Sequence, residues 1–173
     1  MKTRGFTLLE LLIVVAVIGI LASLLIPNTM SAIQKARQKG TMKDIHSLST
    51  ALADYVTDKG RAPSHSGILT VSDALFRTLS GMYMKRVPYR DAWGNMLYVY
   101  CQTSVNSCWG SRITGAGYED FVVGSIARDK RKANVVFNPA QPTSAYFNIT
   151  GMTSFNTDIV NWNGVWVSAP RSK

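Results

Sequence analysis

The chain has 173 residues, which is room for one modest domain with an appendage and excludes several large domains. Apolar residues make up 46 % of the chain, but the aliphatic ones are concentrated between Leu11 and Ile26. The average composition therefore combines a very apolar N-terminal segment with a more polar remainder. The formal net charge of +9 indicates either a solvated basic face or a surface that attracts nucleic acid, anionic lipid or acidic polymer.

Residues 1–27 combine a basic start with a long apolar run. Lys2 and Arg4 come first, and the 21-residue run that follows from Phe6 is long enough to cross about 30 Å of hydrocarbon as a helix. A secretory signal peptide is one interpretation, but its apolar region is about 7–15 residues long, and Glu10 lowers the hydrophobicity that such a region needs. A permanent transmembrane helix with a cytoplasmic N-terminus is a second interpretation.

A third interpretation accounts for every feature of this segment. Lys-Thr-Arg-Gly, followed by Phe-Thr-Leu-Leu-Glu-Leu and an aliphatic helix, resembles the class III signal of type IV pilins and type II secretion pseudopilins. The resemblance implies that a membrane peptidase cuts after Gly5 and N-methylates Phe6. It also implies that Glu10 meets the Phe6 amine of a neighbouring subunit in a filament, since a buried carboxylate needs a partner. A glutamate that only reaches the membrane interface is the alternative.

Pro27 stands where the apolar run stops, and it lacks the backbone donor that helix interiors need, so we expect a kink there. Apolar residues then recur every three or four positions as far as Tyr55. This pattern predicts one helix from Phe6 to Asp58, ended by Lys59-Gly60. Its irregular spacing favours packing on a sheet over a coiled coil.

The first half of this helix is predicted to be an exposed handle, which lipid or sister helices must cover. The predicted division is therefore a leader over 1–5, a transmembrane and filament-core helix over 6–27, the second half of the long helix over 28–59, and a globular domain over 60–173.

The globular part carries the signals of a small mixed domain. Residues 58–67 read as a loop, 70–81 as a short helix with Ser72 as its N-cap, and "DAWGN" at 91–95 as a turn. Strands are predicted at residues 96–102, 118–125, 134–138, 145–150 and 164–168. A long helix, a short helix and then several strands predict an α+β fold with an antiparallel sheet, of the type IV pilin-like kind.

"DKGRAP", the short helix, "KRVPYRDAWGNMLYVY" and "YEDFVVGS", in that order, resemble the major pseudopilins of type II secretion. The resemblance implies a calcium ion, with Ser125, Asp129 and Asp158 at the matching positions. Calcium takes about 6–8 oxygen ligands, however, and the intervening loop here is basic rather than acidic. We therefore expect a calcium-free loop, with a calcium site as the alternative. The basic residues are Arg128, Lys130, Arg131 and Lys132.

Cys101 and Cys108 are close in sequence, and nearby cysteine pairs in exported domains often form a disulfide. Without a CxxC spacing or an adjacent histidine, a metal site is not expected. The predicted disulfide would staple what a metal ion holds elsewhere in the family, and two separate thiols are the alternative.

The chain offers no convergent catalytic constellation, so an enzyme is not expected. The leading hypothesis is a structural subunit of a helical type II secretion pseudopilus, and the alternative is a type IV pilus subunit for adhesion, motility or DNA uptake. A DNA-binding role would use the basic cluster Arg128, Lys130, Arg131 and Lys132, but nucleic acid is not an expected partner.

The resemblance also implies partners and a location. The partners are other copies of the chain, a prepilin peptidase and methylase, an inner-membrane platform with an ATPase, minor pseudopilins, and membrane lipid before assembly. The chain would lie in a bacterial inner membrane with its C-terminal domain in the periplasm, and then in the filament.

Overall fold

A computed structural model describes residues 5–106, 108–110, 115–135 and 141–171. One long helix, α1 (Leu8–Lys59), begins after the N-cap Thr7 and ends at Gly60, whose φ of 67° is left-handed and whose amide donates to the Val56 carbonyl at 2.8 Å. The predicted helix and its glycine stop are therefore confirmed. The helix continues through Pro27, whose side chain lies outside the described set.

Only the second half of α1 packs on the rest of the subunit. Ile45, Leu48 and Leu52 are fully buried, at spacings of three and four residues, which confirms packing on a sheet rather than a coiled coil. The buried stripe starts earlier with polar side chains, Gln34 and Gln38 among them. The globular domain therefore packs on the C-terminal part of α1 through apolar side chains and on the middle of α1 through polar side chains.

A five-stranded antiparallel sheet in simple sequential order follows α1 in the chain. The strands are β1 (Ser66–Ile68), β2 (Tyr98–Cys101), β3 (Phe121–Ser125), β4 (Ile159–Trp162) and β5 (Val165–Ser168), with a short helix α2 (Ala74–Leu79) between β1 and β2. One long helix on a small antiparallel sheet is the predicted α+β, type IV pilin-like fold.

Several local expectations are corrected. The predicted loop over 58–67 contains the start of β1, and β4 was not among the predicted strands. Residues 145–150 form no strand, because only one isolated bridge, Phe147 to Pro170, joins this segment to another. The N-cap of α2 is Asp73 rather than Ser72. The predicted strand over 134–138 lies partly outside the described residues.

The sheet is buried on both faces, which explains why every residue of β3 is buried. Alternate residues of β2 separate the two cores: Val99 and Cys101 face α1, whereas Tyr98 and Tyr100 pack with a second cluster around Trp109. The second core also includes residues from irregular segments, among them Cys108, Trp109 and Val135. The domain therefore has three layers, with α1 on one face of the sheet and a loop layer on the other.

Candidate functional site: the processing and assembly segment

The first turn of α1 is closed by a capping box between Thr7 and Glu10. The Glu10 amide donates to Thr7 Oγ1 at 3.2 Å, and Glu10 Oε2 accepts from the Thr7 amide and from Thr7 Oγ1, both at 2.9 Å. The carboxylate is thereby folded back over the residue that directly follows Phe6. It is also exposed, and among the described residues Glu10 has local hydrogen bonds to Thr7 and no cationic partner.

Gly5 is not required by the subunit's own fold. A Cβ atom built at Gly5 meets nothing within 4 Å, and its φ lies outside the left-handed region. Glycine is normally retained where the chain needs a positive φ or a close approach, and neither applies here. The described part of the subunit would therefore accept a larger residue at this position.

The apolar surface of α1 is uncovered from its start to Ile33. Phe6 is 76 % exposed and Leu12 is 68 % exposed, and the other large apolar residues of the segment whose side chains are described are exposed as well. By length and composition, α1 is the one helix in the described part of the chain that could cross a membrane. The structure thus presents the predicted handle, and Met30 and Ile33 belong to it rather than to the core.

The turn over residues 91–95 is the predicted tight turn, and it is held by a buried network that the sequence does not reveal. Asp91 Oδ1 accepts from the Trp93 and Asn95 amides, and Oδ2 accepts from Ser125 Oγ at 2.7 Å and from Asn95 Nδ2 at 2.9 Å. Four hydrogen bonds on one carboxylate satisfy its acceptors without an ion. The turn is therefore a rigid corner of the domain.

This corner joins the domain to α1. The Trp93 indole donates to Gln34 Oε1 at 2.8 Å, and the Ala92 amide donates to Thr41 Oγ1 at 3.1 Å. Gln34 and Thr41 lie two helical turns apart on one face of α1, which fixes the tilt of the helix against the turn. Sequence reasoning missed both helix residues, since an isolated glutamine or threonine in a helix carries no local signal.

A second network closes the loop layer on the other face of the sheet. Asp158 Oδ2 accepts from the Trp109 indole at 2.6 Å and from the Ala133 amide at 2.8 Å. Trp109 lies over Gly124, where an added Cβ would come within 2.7 Å of the indole ring. The ammonium of Lys132 stands 4.7 Å from the ring centroids of Trp109 and Tyr100 and donates to the Tyr100 hydroxyl.

Burial raises the pKa of Asp158 to about 6, and the nearby Asp129 carboxylate acts in the same direction. The hydrogen bonds from Trp109 and Ala133 and the charge of Lys132 act against this rise in pKa. Oδ1 of Asp158 is buried without a hydrogen-bond partner among the described residues. The carboxylate is therefore under-solvated rather than strongly paired.

The three predicted calcium ligands do not fit an ion in this arrangement. Ser125 Oγ is committed to Asp91, and Asp129 Oδ1 accepts from the Arg131 amide. Asp158 lies beside the ammonium of Lys132. Within the described residues there is no group of three or more His, Cys, Asp or Glu side chains that could hold a metal ion. Calcium requires several carboxylate and carbonyl oxygens around one point, which these side chains do not supply.

The structure does not join Cys101 and Cys108 by the predicted disulfide. The reason is the pleat of β2: Cys101 belongs to the core that faces α1, whereas Cys108 belongs to the core on the opposite face of the sheet. Burial raises the pKa of the Cys101 thiol to about 12, so this thiol stays protonated at neutral pH.

The predicted basic cluster is divided by its own contacts. Arg128 Nε donates to Asn156 Oδ1 at 3.0 Å, and Lys132 is held by the aromatic rings. Lys130 and Arg131 are exposed. Two of the four cations thus stabilise the loop layer, which weakens the case for a nucleic-acid surface.

Known proteins resemble this chain in both of its parts. Residues 1–26 match the prokaryotic N-terminal methylation motif, and residues 28–124 match the family described as type II secretion system protein G. The type II secretion system core protein G of Aeromonas hydrophila is 41 % identical over 104 residues, which cover 54 % of this chain and 70 % of that protein. That of Escherichia coli K12 is 39 % identical over 103 residues, with coverages of 54 % and 69 %.

The protein of the same name from Vibrio cholerae is 38 % identical over 103 residues, which cover 54 % of this chain and 68 % of that protein. No solved structure matches this chain. The family match ends within β3, so β4, β5 and the rest of the loop layer lie beyond it.

Proposed function

The chain belongs to the type II secretion system protein G family and is a pseudopilin of that system, and from this premise we propose how its first helix is used. A membrane peptidase cuts after Gly5, Phe6 becomes the methylated N-terminus, and α1 passes from lipid into the core of a filament. The exposed apolar surface of α1 carries this proposal, because no described residue of the subunit covers it. A surface pilus is not favoured by the comparisons.

The family and the apolar helix indicate anchoring in the inner membrane. We place the N-terminus on the cytoplasmic side, since Lys2 and Arg4 precede the span, and the domain from Gly60 onward in the periplasm. The partners are then other copies of this chain, the prepilin peptidase and methylase, the inner-membrane assembly platform with its ATPase, and minor pseudopilins. The family is structural, and its members are not known as enzymes.

We assign to Glu10 the role of setting the axial register between neighbouring subunits in the filament. Within the described part of the subunit it accepts hydrogen bonds from Thr7 only, and no cation there would compensate its charge once water is removed. Cleavage after Gly5 creates an α-amino group that the precursor lacks. One axial stagger brings that amine of a neighbouring copy to Glu10, and every other stagger leaves two buried charges unpaired.

The test compares Glu10→Ala and Glu10→Gln for filament yield, measured by sedimentation and electron microscopy. Breaking a buried ion pair costs about 3–5 kcal/mol, so we expect both variants to lose at least about tenfold in filament yield. The glutamine keeps an acceptor for the Thr7 amide, so its failure would show that charge rather than capping is needed. Both variants should still enter the membrane and be cleaved. Wild-type filament yield from Glu10→Gln would overturn the register role.

We also propose that Trp109, Asp158 and Lys132 hold the loop layer without calcium. The hydrogen bonds of Asp158 to Trp109 and Ala133 and the position of Lys132 over the indole support this, since they join the same segments that a calcium ion would join.

A further inference from the structure

We propose that a cavity between α1 and the end of the chain binds the headgroup of an anionic phospholipid. The cavity has a volume of about 820 Å³ and lies between residues 35–42 of α1 and the segments around Ile149 and Arg171. This inference rests on the membrane-anchored topology proposed above. It concerns the subunit before assembly, when the globular domain lies beside the bilayer.

The charged residues that line the cavity in the described part of the chain are all of one sign. They are Lys35, Lys39 and Arg171, and no carboxylate is among the described lining residues. All three side chains are exposed, and within the described part of the chain none of them forms an ion pair or a side-chain hydrogen bond. Three unpaired cations that converge on one concave surface attract a phosphate group.

The rest of the lining is amphipathic, which favours a lipid over a free anion. Met42, Ile149 and Pro170 supply apolar surface beside the cations. Gln38, which is only 2 % exposed, also lines the cavity, and its buried amide nitrogen has no acceptor among the described residues. A rotation of the Gln38 side chain would present this amide to a phosphate or glycerol oxygen, while the glycerol backbone would contact the apolar side chains.

When the apolar half of α1 spans the membrane, the cavity lies near the level of the lipid headgroups. Lys35 follows Ile26, the end of the apolar run, by nine residues, or about 14 Å along the helix. Helical side chains lean towards the N-terminus over about one turn, which brings the Lys35 ammonium within about 9 Å of the hydrocarbon. The headgroup layer is about 5–8 Å thick on each side. The exposed apolar surface also continues through Met30 to Ile33, so lipid contact reaches the foot of the cavity.

The test uses the full mature chain in detergent micelles and native mass spectrometry. Binding of a phosphatidylglycerol is compared with that of a phosphatidylcholine with the same acyl chains. Each Lys or Arg near an anionic surface contributes about a factor of five in affinity, so we expect a preference on the order of 100-fold for phosphatidylglycerol. The triple variant Lys35→Gln, Lys39→Gln, Arg171→Gln should lose that preference, and each single variant should lose about fivefold.

The matched control is Arg77→Gln, Lys85→Gln, Lys130→Gln, which removes the same charge from exposed sites outside the cavity lining. It should keep the preference. Equal binding of the two lipids by the wild type, or an unchanged preference in the folded single and triple variants, would overturn the proposal. Displacement of the lipid by millimolar inorganic phosphate would also overturn it, by showing a site for free anions. Cell fractionation of the same variants reads anchoring separately, so a chain that is anchored and cleaved but shows no lipid preference refutes this inference alone.

Discussion

The two halves of α1 have the same secondary structure and opposite environments. Over residues 8–33 the exposed large apolar side chains range from 42 % exposed at Ile33 to 88 % at Leu8, whereas Ile45, Leu48 and Leu52 in residues 34–59 are fully buried. The second half is explained by contacts inside the subunit. The apolar surface of the first half has no such contacts among the described residues, and in the function proposed above lipid and then sister helices cover it.

The largest expected effect tests whether cleavage by the peptidase needs a small residue at Gly5. Gly5→Phe adds a side chain that the subunit itself can accommodate, since a Cβ there meets nothing within 4 Å. We therefore expect the variant to fold and enter the membrane but to remain uncleaved, so that no filament forms. The measurement is the mass of the membrane-bound chain.

Gly19→Val is the matched control for Gly5→Phe, because a Cβ at Gly19 also meets nothing within 4 Å, and Gly19 lies away from the cut. It should be cleaved normally. Normal cleavage of Gly5→Phe would contradict the assignment of the cut and would make Gly5 an incidental residue of the exposed half.

The next largest effect compares the two halves of α1 by making the same leucine-to-alanine substitution in each. Leu48→Ala removes a fully buried side chain from the core that faces α1, which should lower the free energy of unfolding by about 2–5 kcal/mol. Leu12→Ala removes a side chain that is 68 % exposed, so it should change the unfolding free energy of the domain by less than about 0.5 kcal/mol. The measurement is chemical denaturation of the full chain in detergent.

Filament yield should respond differently to the same pair of leucine variants. Leu12→Ala removes surface that sister helices would cover, so it should reduce assembly without reducing the stability of the subunit. If Leu12→Ala destabilised the domain as much as Leu48→Ala does, the division of α1 into two regions would be wrong.

Features set by local interactions were predictable from the sequence. The long helix, its glycine stop and the turn over residues 91–95 depend on nearby residues, and the structure confirms each of them. The β4–β5 hairpin also has a local signal, since Asn163-Gly164 stands between apolar segments with φ values of 48° and 85°. That signal could have revealed β4.

The remaining features depend on contacts between distant residues. Trp109 and Asp158 are 49 residues apart in sequence, and Gln34 and Trp93 are 59 apart. No spacing rule brings such pairs together. The Cys101–Cys108 prediction was wrong for a different reason: proximity in sequence does not show on which face of the sheet each side chain lies.

The smallest expected effect tests whether contacts inside the subunit hold the loop layer, as they hold the second half of α1. Because burial raises the pKa of Asp158 from 3.8 to about 6, the folded state holds a proton that the unfolded state has released. The folded state therefore binds more protons between about pH 4 and pH 6. The contribution of Asp158 to stability should fall as the pH rises through this window and stay constant above it.

Asp158→Asn removes this titration, so its melting temperature should decline less than that of the wild type between pH 4 and pH 6. Asp54→Asn, which removes an exposed carboxylate from α1, is the control and should follow the wild-type curve. Calcium should not raise the wild-type melting temperature, and a chelator should not lower it, if Trp109 and Lys132 hold the layer. A calcium-dependent rise that Asp158→Asn abolishes would show that Asp158 serves an ion, and the loop layer would then depend on an external partner, as the first half of α1 does.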